Sequence, residues 1–365
     1  MFAIVCRRVN HTMHVQRLSP RAPAWGELLA RVEHDVYHLP RYLEHAAQAG
    51  DEPRAYVISE GPWSLFVPLL LRPLPSGVGR DASSPYGYPG PLVGSRGPEA
   101  APPSFLARAA RALVEAMAND ELVSAFVRLH PLLGPDPRAL AEVGALVHHG
   151  PTVWIDLTQD PATRARETRP TTRNLVRRLA RDGFRAHFDA SARALAIFAE
   201  LHAETMRRVD AAAMYELPRA ELTALAAALG EHLTVCVVER GGAPACAGLF
   251  LTCGSVAQYH LSGVAEAFVQ ASPTRLMLHE ASAWARARGV RALHLGGGVG
   301  AREDSLFRFK AGLSRQRAAM HTWRLIPSPE RYAALTAEAD ARDGPVDARR
   351  WGAFFPAYRR PSSPS

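Results

Sequence analysis

The sequence has 365 residues, of which 47% are hydrophobic and 21% charged, and its net charge is +8. This apolar content is too high for a disordered chain, no apolar run is long enough to cross a bilayer, and the length predicts two domains. The N-terminus lacks the basic-then-apolar order of a signal peptide, so we expect a reduced, cytoplasmic protein. The four cysteines, Cys6, Cys236, Cys246 and Cys253, form no C-x-x-C pair. They therefore indicate neither a zinc ribbon nor a disulfide framework.

The basic residues are distributed unevenly in two respects. Lys310 is the only lysine in the chain, so every other basic residue except histidine is an arginine. Residues 161–185 contain eight arginines and two acids, so this segment carries +6 of the net charge of +8. A local charge of one sign is typical of a surface that binds an anionic partner, such as a phosphate-rich ligand or nucleic acid.

Hydrophobic periodicity and turn residues predict the elements of the first half in chain order. Pro40 fits the first turn of a helix, and Gly61-Pro62 fits the turn of a β-hairpin. Residues 72–97 are rich in Pro and Gly and are predicted to form a long loop. The predicted elements are helices at 25–31, 40–48 and 105–118 and strands at 54–59, 63–71, 122–129 and 153–157.

The second half begins with a basic amphipathic helix predicted over 171–182, with Gly183 as its C-terminal stop. The other predicted elements are helices at 193–209, 219–229, 273–288 and 304–312 and strands at 184–188, 233–239, 245–251, 256–262, 292–295 and 320–326. Helices, an antiparallel meander and β-α-β units in this order predict a mixed α/β (α+β) fold. The tail over 359–365 is predicted to be disordered.

Residues 296–301, Gly-Gly-Gly-Val-Gly-Ala, follow a predicted strand and formally fit the G-x-G-x-x-A pattern of a dinucleotide site. That site also needs an acid at the end of the next strand, which here ends in Leu325-Ile326-Pro327-Ser328. A dinucleotide is therefore not favoured, and the run is either a tight turn or a loop whose amides approach an anion or acyl group. Without metal-ligand spacings, a nucleophile elbow or a P-loop, the sequence also does not support a metal site or hydrolase chemistry.

Lys310 lies in the predicted helix after this glycine run, next to Phe309. A helical lysine is normally a solvated surface residue. In a chain that otherwise uses arginine, its compact ammonium also suits a second role, which is to stabilise the oxyanion that forms when an amine attacks a carbonyl. Both interpretations stay open, and a buried or remote Lys310 would count against the second.

Several segments together resemble one known family. His294-Leu295-Gly296-Gly297-Gly298 and residues 304–312, Asp-Ser-Leu-Phe-Arg-Phe-Lys-Ala-Gly, resemble the C-terminal signature of the FemAB-like branch of the GNAT acyltransferases. Residues 35–42, 86–91 and 172–178 also resemble that branch, as Asp-Val-Tyr-His-Leu-Pro-Arg-Tyr, Tyr-Gly-Tyr-Pro-Gly-Pro and Thr-Arg-Asn-Leu-Val-Arg-Arg. The similar segments extend from residue 35 to residue 326.

The resemblance implies two tandem GNAT-like domains, each with a mixed central sheet flanked by helices. We expect an N-terminal domain over 1–160, a basic connecting helix over 161–185 and a C-terminal domain over 186–358. It also implies that an amine is acylated by direct attack, without a covalent enzyme intermediate. Members of the branch take an amino acid from aminoacyl-tRNA and transfer it to peptidoglycan precursors or to small amines in antibiotic pathways. No cofactor and no metal are expected, and the oligomeric state stays open.

The resemblance also suggests roles for individual residues. Phe309 and Lys310 would lie near the acyl carbonyl, with Lys310 stabilising the oxyanion, and Tyr259 would orient the acceptor. The other candidates for substrate binding are Tyr37, His38, Tyr86, Tyr88, Gly297 and Gly298. The phosphates of tRNA or of a nucleotide-linked acceptor would bind to Arg173, Arg177, Arg178 and Arg181. No general base is indicated.

One departure from the wider GNAT pattern concerns coenzyme A. Members that use acyl-CoA carry Gln/Arg-x-x-Gly-x-Gly/Ala between a central strand and its helix, where backbone amides hold the pyrophosphate. Residues 263–273 have no matching glycines after Gly263, which disfavours acyl-CoA without excluding it. The alternatives to a tRNA-dependent enzyme are therefore an acyl-CoA-dependent N-acyltransferase and a non-enzymatic module that binds RNA or anions.

Overall fold

The computed structural model describes residues 13–75, 77–209, 217–343 and 354–361. The chain divides into two compact units, and neither is a single continuous segment. The first unit consists of 1–32, 46–147 and 322–365, and the second consists of 33–45 and 148–321.

The first unit is a mixed sheet with helices packed against it. Its strands lie in the order β1-β2-β3-β4-β6-β13, with β5 also paired to β3, and among the pairs that the structure describes here only β4 and β6 are parallel. The strands are β1 His14–Leu18, β2 Glu52–Glu60, β3 Trp63–Pro73, β4 Arg80–Ser83, β5 Leu92–Ser95, β6 Leu122–Arg128 and the end of β13 Arg317–Leu325. The helices are α1 Pro23–Leu29, α3 Pro103–Asn119 and α10 Pro329–Asp343; α2, Pro40–Ala46, starts in the second unit.

The core of the first unit forms where the apolar face of α3 meets β2, β3 and β6. Phe105 and Leu113 on this helix are fully buried against strand residues such as Tyr56 and Leu65. The apolar residues of α3 recur at helical spacing, so one face of the helix meets the sheet and the other faces solvent.

The second unit is also a mixed sheet, with strands in the order β7-β12-β11-β10-β9-β8. Of the strand pairs described within this unit, only β11 and β12 are parallel. The strands are β7 Ala145–Asp156, β8 Phe184–Asp189, β9 Leu233–Arg240, β10 Ala243–Cys253, β11 Val256–Val264 and β12 Ala292–Gly296. The helices are α4 Pro161–Glu167, α5 Pro170–Arg181, α6 Ala192–Arg208, α7 Arg219–Leu229, α8 Thr274–Ala287 and α9 Ser305–Lys310.

Helices α6 and α8 cover opposite faces of this sheet. A Cβ at Gly248 in β10 would meet Met277 of α8, whereas a Cβ at Gly263 in β11 would lie 2.2 Å from the backbone of Leu201 in α6. Gly248 is paired with the residue before Gly263, and successive residues of a strand point to opposite faces. Gly263 therefore allows the backbones of α6 and β11 to approach closely. The apolar side of α5, with Val176 and Leu179, joins the core on the α8 face.

Most of the predicted elements and the mixed α/β fold class are confirmed. The predicted loop over 72–97 is wrong in part, because β4 and β5 lie within it. Both strands have only four residues and are separated by a segment rich in Pro and Gly, so their alternation is too short to recognise in the sequence. Strand β1 and helix α10 were not predicted, and the basic connecting helix expected over 161–185 is divided into α4 and α5.

The expected boundaries differ from the compact units in four places, one of which is that residues 148–160, expected in the N-terminal domain, belong to the second unit. Residues 322–358 were expected in the C-terminal domain, but Thr322–Leu325 pair with β6 in the first unit. Residues 33–45 belong to the second unit, and the basic helix of 161–185 is an integral part of it and not a connector.

The expectation of a disordered tail is wrong for Arg359 and Arg360. Arg359 is paired with the buried carboxylate of Asp81, and Arg360 is paired with Asp340. Residues 362–365 lie outside the described part of the chain. Within that part, none of the helices has both the length and the apolar composition needed to span a membrane.

Candidate functional site

The glycine run forms the connection between β12 and α9. Asp304 precedes α9 and caps it, since its carboxylate accepts hydrogen bonds from the amides of Phe307, at 2.9 Å, and Val299, at 3.0 Å. A Cβ at Gly298 would lie 2.1 Å from the carbonyl oxygen of Arg302 and 2.3 Å from the Asp304 carboxylate. Only glycine therefore fits at position 298, and the tight turn brings the backbone of the loop close to α9.

Lys310, at the end of α9, is held against this loop. Its Nζ donates a hydrogen bond to the carbonyl oxygen of Gly297 at 2.7 Å, and only 7% of the residue is exposed. Burial lowers the pKa of Lys310 to about 8, although the nearby Asp304 carboxylate opposes this effect. Lys310 is thus not a solvated surface residue. Its burial counts against free access to a substrate, so any contact with a carbonyl would have to occur at the glycine loop itself.

Phe309 and Tyr259 both pack against the core of the second unit. The ring of Tyr259, in β11, is half-buried and lies 5.7 Å from the ring of Phe250. Its hydroxyl is hydrogen-bonded to Ser262, and burial raises the pKa of the phenol. The phenol is therefore a neutral hydrogen-bonding group at physiological pH.

The parallel pairing of β11 and β12 ends shortly before Tyr259. Its register joins Val256–Gln258 to residues 292–294, so β11 continues to Val264 without further pairing to β12. Side chains of α6 bind part of this free edge: His202 contacts the carbonyl of Ser262, and Thr205 accepts from the amide of Val264 at 2.8 Å.

A buried polar network lies at the last paired position. Gln258 Nε2 donates to the Asp35 carboxylate at 2.6 Å, and Gln258 Oε1 is 2.8 Å from His294 Nδ1. Because a carboxylate only accepts, Gln258 must direct its amide nitrogen to Asp35, and its oxygen then accepts from a protonated Nδ1 of His294. The network joins the segment 33–45 to β11 and β12.

Tyr37 and His38 belong to the same region. Tyr37 is buried, and its hydroxyl lies 3.2 Å from Nδ1 of His260, whose pKa burial lowers to about 4. His38 is fully buried, and its Nδ1 accepts from the amide of Asp35 at 3.1 Å, so it closes the turn that carries Tyr37. Tyr37 and His38 are candidates from the sequence alone, whereas the roles of Asp35, Gln258, His260 and His294 emerge only from the folded chain.

Tyr86 and Tyr88 lie in the first unit. Tyr86 is 45% exposed, and the guanidinium of Arg128 lies over its ring at 5.8 Å. Tyr88 packs edge-on against His130 at 6.2 Å, and burial raises its pKa. These two residues are thus assigned to a different unit from Lys310, Phe309 and Tyr259.

The arginines of α5 differ in their surroundings. Arg177, Arg178 and Arg181 are exposed, as predicted from the amphipathic pattern. Arg173 instead donates to the carbonyls of Ala165 and Thr168, at 2.6 and 2.7 Å, and so is engaged with the end of α4. Among the residues that the structure describes, no arginine of 161–185 has a carboxylate within ion-pair distance. In the first unit, by contrast, many arginines are paired with acids.

The connection between β11 and α8, where coenzyme A-dependent members hold a pyrophosphate, is a 3-10 helix over Glu266–Ala271. The amide of Glu266 donates to the carboxylate of Glu204 at 2.6 Å, and the amide of Ala265 donates to the carbonyl of Ala245 at 3.0 Å. Two amides at the start of this connection are thus already bound, and the carboxylate of Glu204 lies beside one of them.

No group of three His, Cys, Asp or Glu side chains suitable for a metal occurs within the described ranges. Cys236, Cys246 and Cys253 are buried free thiols, and burial raises their pKa values. Cys6 lies outside the described residues. The three thiols are therefore neutral packing groups.

Comparisons with known proteins agree with this architecture. The acetyltransferase (GNAT) domain family matches residues 166–310. The crystal structure of FemX is similar over 87% of this chain and 99% of FemX, with 13% identity and a TM-score of 0.67. A protein of unknown function from Bacteroides thetaiotaomicron is similar over 86% of this chain and 100% of its own, with 11% identity and a TM-score of 0.55.

The structure of L-PGS from Bacillus licheniformis is similar over 84% of this chain and 92% of its own, with 12% identity and a TM-score of 0.52. At these identities the structural similarity defines the fold alone. No curated protein matches the sequence. Residues 166–310 thus match the acetyltransferase (GNAT) domain family, and the chain as a whole has a fold like that of FemX.

Proposed function

We propose that the protein transfers an amino acid from aminoacyl-tRNA to an amine acceptor and forms an amide by direct attack. The acceptor is a peptidoglycan precursor or an amine intermediate of an antibiotic pathway. The proposal places the reaction in the cytoplasm, where aminoacyl-tRNA is available. FemX and L-PGS, two proteins of similar fold, support the choice of this class of reaction.

The reaction needs a neutral amine close to the ester carbonyl. The amine nitrogen attacks the carbonyl carbon and forms the C–N bond, the ester C–O bond breaks, and the tRNA leaves with a free ribose hydroxyl. The proton lost by the amine goes to the departing oxygen or to solvent. Positioning of the two substrates supplies a large part of the rate.

Lys310 would stabilise the oxyanion of this reaction at the glycine loop. Its ammonium has three N–H groups, of which one is directed to the Gly297 carbonyl at 2.7 Å. With a pKa of about 8, most Lys310 is charged at pH 7. Gly297 and Gly298 would shape the loop around the carbonyl, Tyr259 would orient the acceptor, and Tyr37, Tyr86 and Tyr88 remain further candidates for substrate binding.

The choice of donor rests on the connection between β11 and α8, where the amides of Ala265 and Glu266 already donate hydrogen bonds within the protein. The Glu266 amide is bound to Glu204, and this carboxylate would repel a diphosphate. The uncompensated arginines of α5 (Arg177, Arg178 and Arg181) instead support a phosphate-rich partner such as tRNA.

A second candidate is an acyl-CoA-dependent N-acyltransferase. It is favoured by the family description, acetyltransferase, over residues 166–310. Its donor would have to place its diphosphate somewhere other than the connection between β11 and α8.

Calorimetry distinguishes the two donors. The full-length chain is titrated with a tRNA that carries its amino acid through a stable 3′-amide, and separately with acetyl-CoA. We expect binding of the charged tRNA and weak or no binding of acetyl-CoA. Tight binding of acetyl-CoA without binding of the tRNA would refute the proposed donor and favour the second candidate.

A further inference from the structure

Three arginines from different elements surround the end of α9. Arg275, in the first turn of α8, lies with its guanidinium 4.9 Å over the ring of Phe309. Arg317, at the start of β13, lies 5.4 Å over the ring of Phe307. Arg169 immediately precedes α5, and its amide donates to the carbonyl of Gly312 at 2.9 Å. All three belong to the second unit.

The positive charge of Arg169 repels those of both Arg275 and Arg317. Burial and the neighbouring Arg169 lower the pKa values of both Arg275 and Arg317. Glu303 opposes this effect at Arg317, but none of the three arginines has an acid within ion-pair distance in the described part of the chain. Like charges brought together in this way reduce stability unless a bound anion neutralises them.

The first turn of α5 adds further hydrogen-bond donors at the same place. The helix begins at Pro170, and no side chain caps its N-terminus. Thr172, in this turn, lies 3.5 Å from Nη1 of Arg275, and a Cβ at Gly312 would be 3.1 Å from the hydroxyl of Thr172. The amides of Thr171 and Thr172 have no acceptor within the helix, and the helix dipole favours an anion beside them.

We propose that Arg169, Arg275 and Arg317, with the first turn of α5, bind a phosphodiester of the acyl donor close to its reactive ester. This inference rests on the proposed function, because it assigns a phosphate subsite for the same donor. The three arginines are binding and positioning residues; none is assigned to the chemical step.

The position of the cluster favours a particular arrangement of phosphate and acyl group. Arg275 covers the ring of Phe309, the residue next to Lys310, so the phosphate would bind a short distance from the carbonyl site. In an aminoacyl-tRNA the ester and the nearest phosphodiester are joined to one ribose. In acyl-CoA the whole pantetheine arm separates the thioester from the diphosphate. A phosphate subsite beside Phe309 therefore suits the RNA ester.

The test combines changes in the protein with changes in the ligand. The probe is an uncharged RNA hairpin with the single-stranded 3′ end of a tRNA, so no acyl transfer is involved. In separate probes, a neutral methylphosphonate replaces one of the last phosphodiesters. The affinities of the wild type, Arg275→Gln, Arg317→Gln and the double variant are measured over a range of salt concentrations. Arg315→Gln is the matched control, because Arg315 is exposed and lies only two residues from Arg317.

We expect Arg275→Gln and Arg317→Gln each to weaken RNA binding about tenfold. The double variant should also lower the salt slope by about 1.4, since each lost contact with a single strand contributes about 0.7. At one position of the RNA, the methylphosphonate should weaken binding to the wild type. The same methylphosphonate should leave the already weakened binding of the double variant unchanged. Arg275→Lys should restore part of the affinity, and Arg169→Gln should weaken binding without lowering the thermal stability of the free protein.

Three results would overturn the inference. The first is an equal loss of affinity in Arg315→Gln, which would indicate a diffuse basic surface. The second is an additive effect of every methylphosphonate in the double variant. The third is a loss of stability in Arg169→Gln, which would indicate a structural role. None of them would affect the proposed donor, whereas failure of the wild type to bind RNA at all would refute both.

Discussion

Burial of Lys310 has a cost that replacement by methionine should reveal. Lys310→Met keeps an unbranched side chain of similar size but removes the charge. Since one pKa unit corresponds to about 1.4 kcal/mol, the decrease from 10.5 to about 8 means that burying the charged form costs roughly 3 kcal/mol at neutral pH. The lost hydrogen bond to Gly297 offsets about 1 kcal/mol of this. We therefore expect Lys310→Met to be about 2 kcal/mol more stable than the wild type at pH 7.

The pH dependence of this difference has a defined sign. Between pH 8 and 10.5, Lys310 is protonated in the unfolded chain but largely neutral in the folded protein, so the wild type gains stability as the pH rises. The advantage of Lys310→Met should thus shrink between pH 8 and 10. The measurement is urea unfolding of both proteins at several pH values, since effects of other groups cancel in the difference.

The same variant should lose activity. Removal of one group that stabilises an oxyanion typically lowers the rate about 100- to 1000-fold. In the wild type, the rate should fall as the pH rises through about 8, where Lys310 loses its charge. A Lys310→Met protein that is less stable at pH 7 and still fully active would refute this reasoning, and Lys310 would then serve only to fix the glycine loop.

Three further predictions follow from individual contacts. Gly298→Ala should destabilise the protein by about 3 kcal/mol in thermal unfolding, because the new Cβ would meet Arg302 and Asp304. At Gly297 the nearest atom would lie 3.2 Å from a Cβ, so Gly297→Ala should destabilise the protein by less than half of this, and equal losses of stability would contradict the geometry. Tyr259→Phe should lower the stability of the protein by only about 1 kcal/mol, because one hydrogen bond is lost, but should lower kcat/KM for the acceptor at least tenfold. Unchanged kinetics would show that Tyr259 does not orient the acceptor. Between pH 7 and pH 4, the free energy of unfolding of the wild type should fall by roughly 3 kcal/mol more than that of His260→Gln, because burial keeps His260 neutral until about pH 4, whereas in the unfolded chain it is protonated below 6.5. Parallel pH profiles of stability for the two proteins would contradict this.

Much of the fold could be predicted because local signals agree with the tertiary structure. The amphipathic pattern of α5, with buried Val176 and Leu179 and exposed Arg177 and Arg178, is the pattern that the folded unit uses. The division into units could not be predicted in this way, since it depends on pairing between residues far apart. Thr322–Leu325 pair with β6, about 200 residues earlier in the chain, and no local pattern indicates that partner.

The candidate site, too, could be predicted from the sequence only in part. Lys310 could be identified as a candidate site residue because it is the only lysine among many arginines and follows a glycine run. Its burial could not, since it depends on the Gly297 carbonyl across a turn. Asp35, Gln258 and His294 come from three separate segments, and each alone is an ordinary polar residue. The arginine cluster at Phe307 and Phe309 also depends on contacts between separate elements, so charge counting located only its Arg169 member.

The most direct test of the account is transfer of a labelled amino acid from charged tRNA to a soluble peptidoglycan precursor or free amine. The wild type is compared with Lys310→Met, and in parallel reactions the charged tRNA is first digested with RNase or replaced by labelled acetyl-CoA. We predict a labelled amide with the wild type and intact charged tRNA, and little product after RNase digestion, with acetyl-CoA or with the variant. Undiminished product after RNase digestion, or product formed only from acetyl-CoA, would contradict the account.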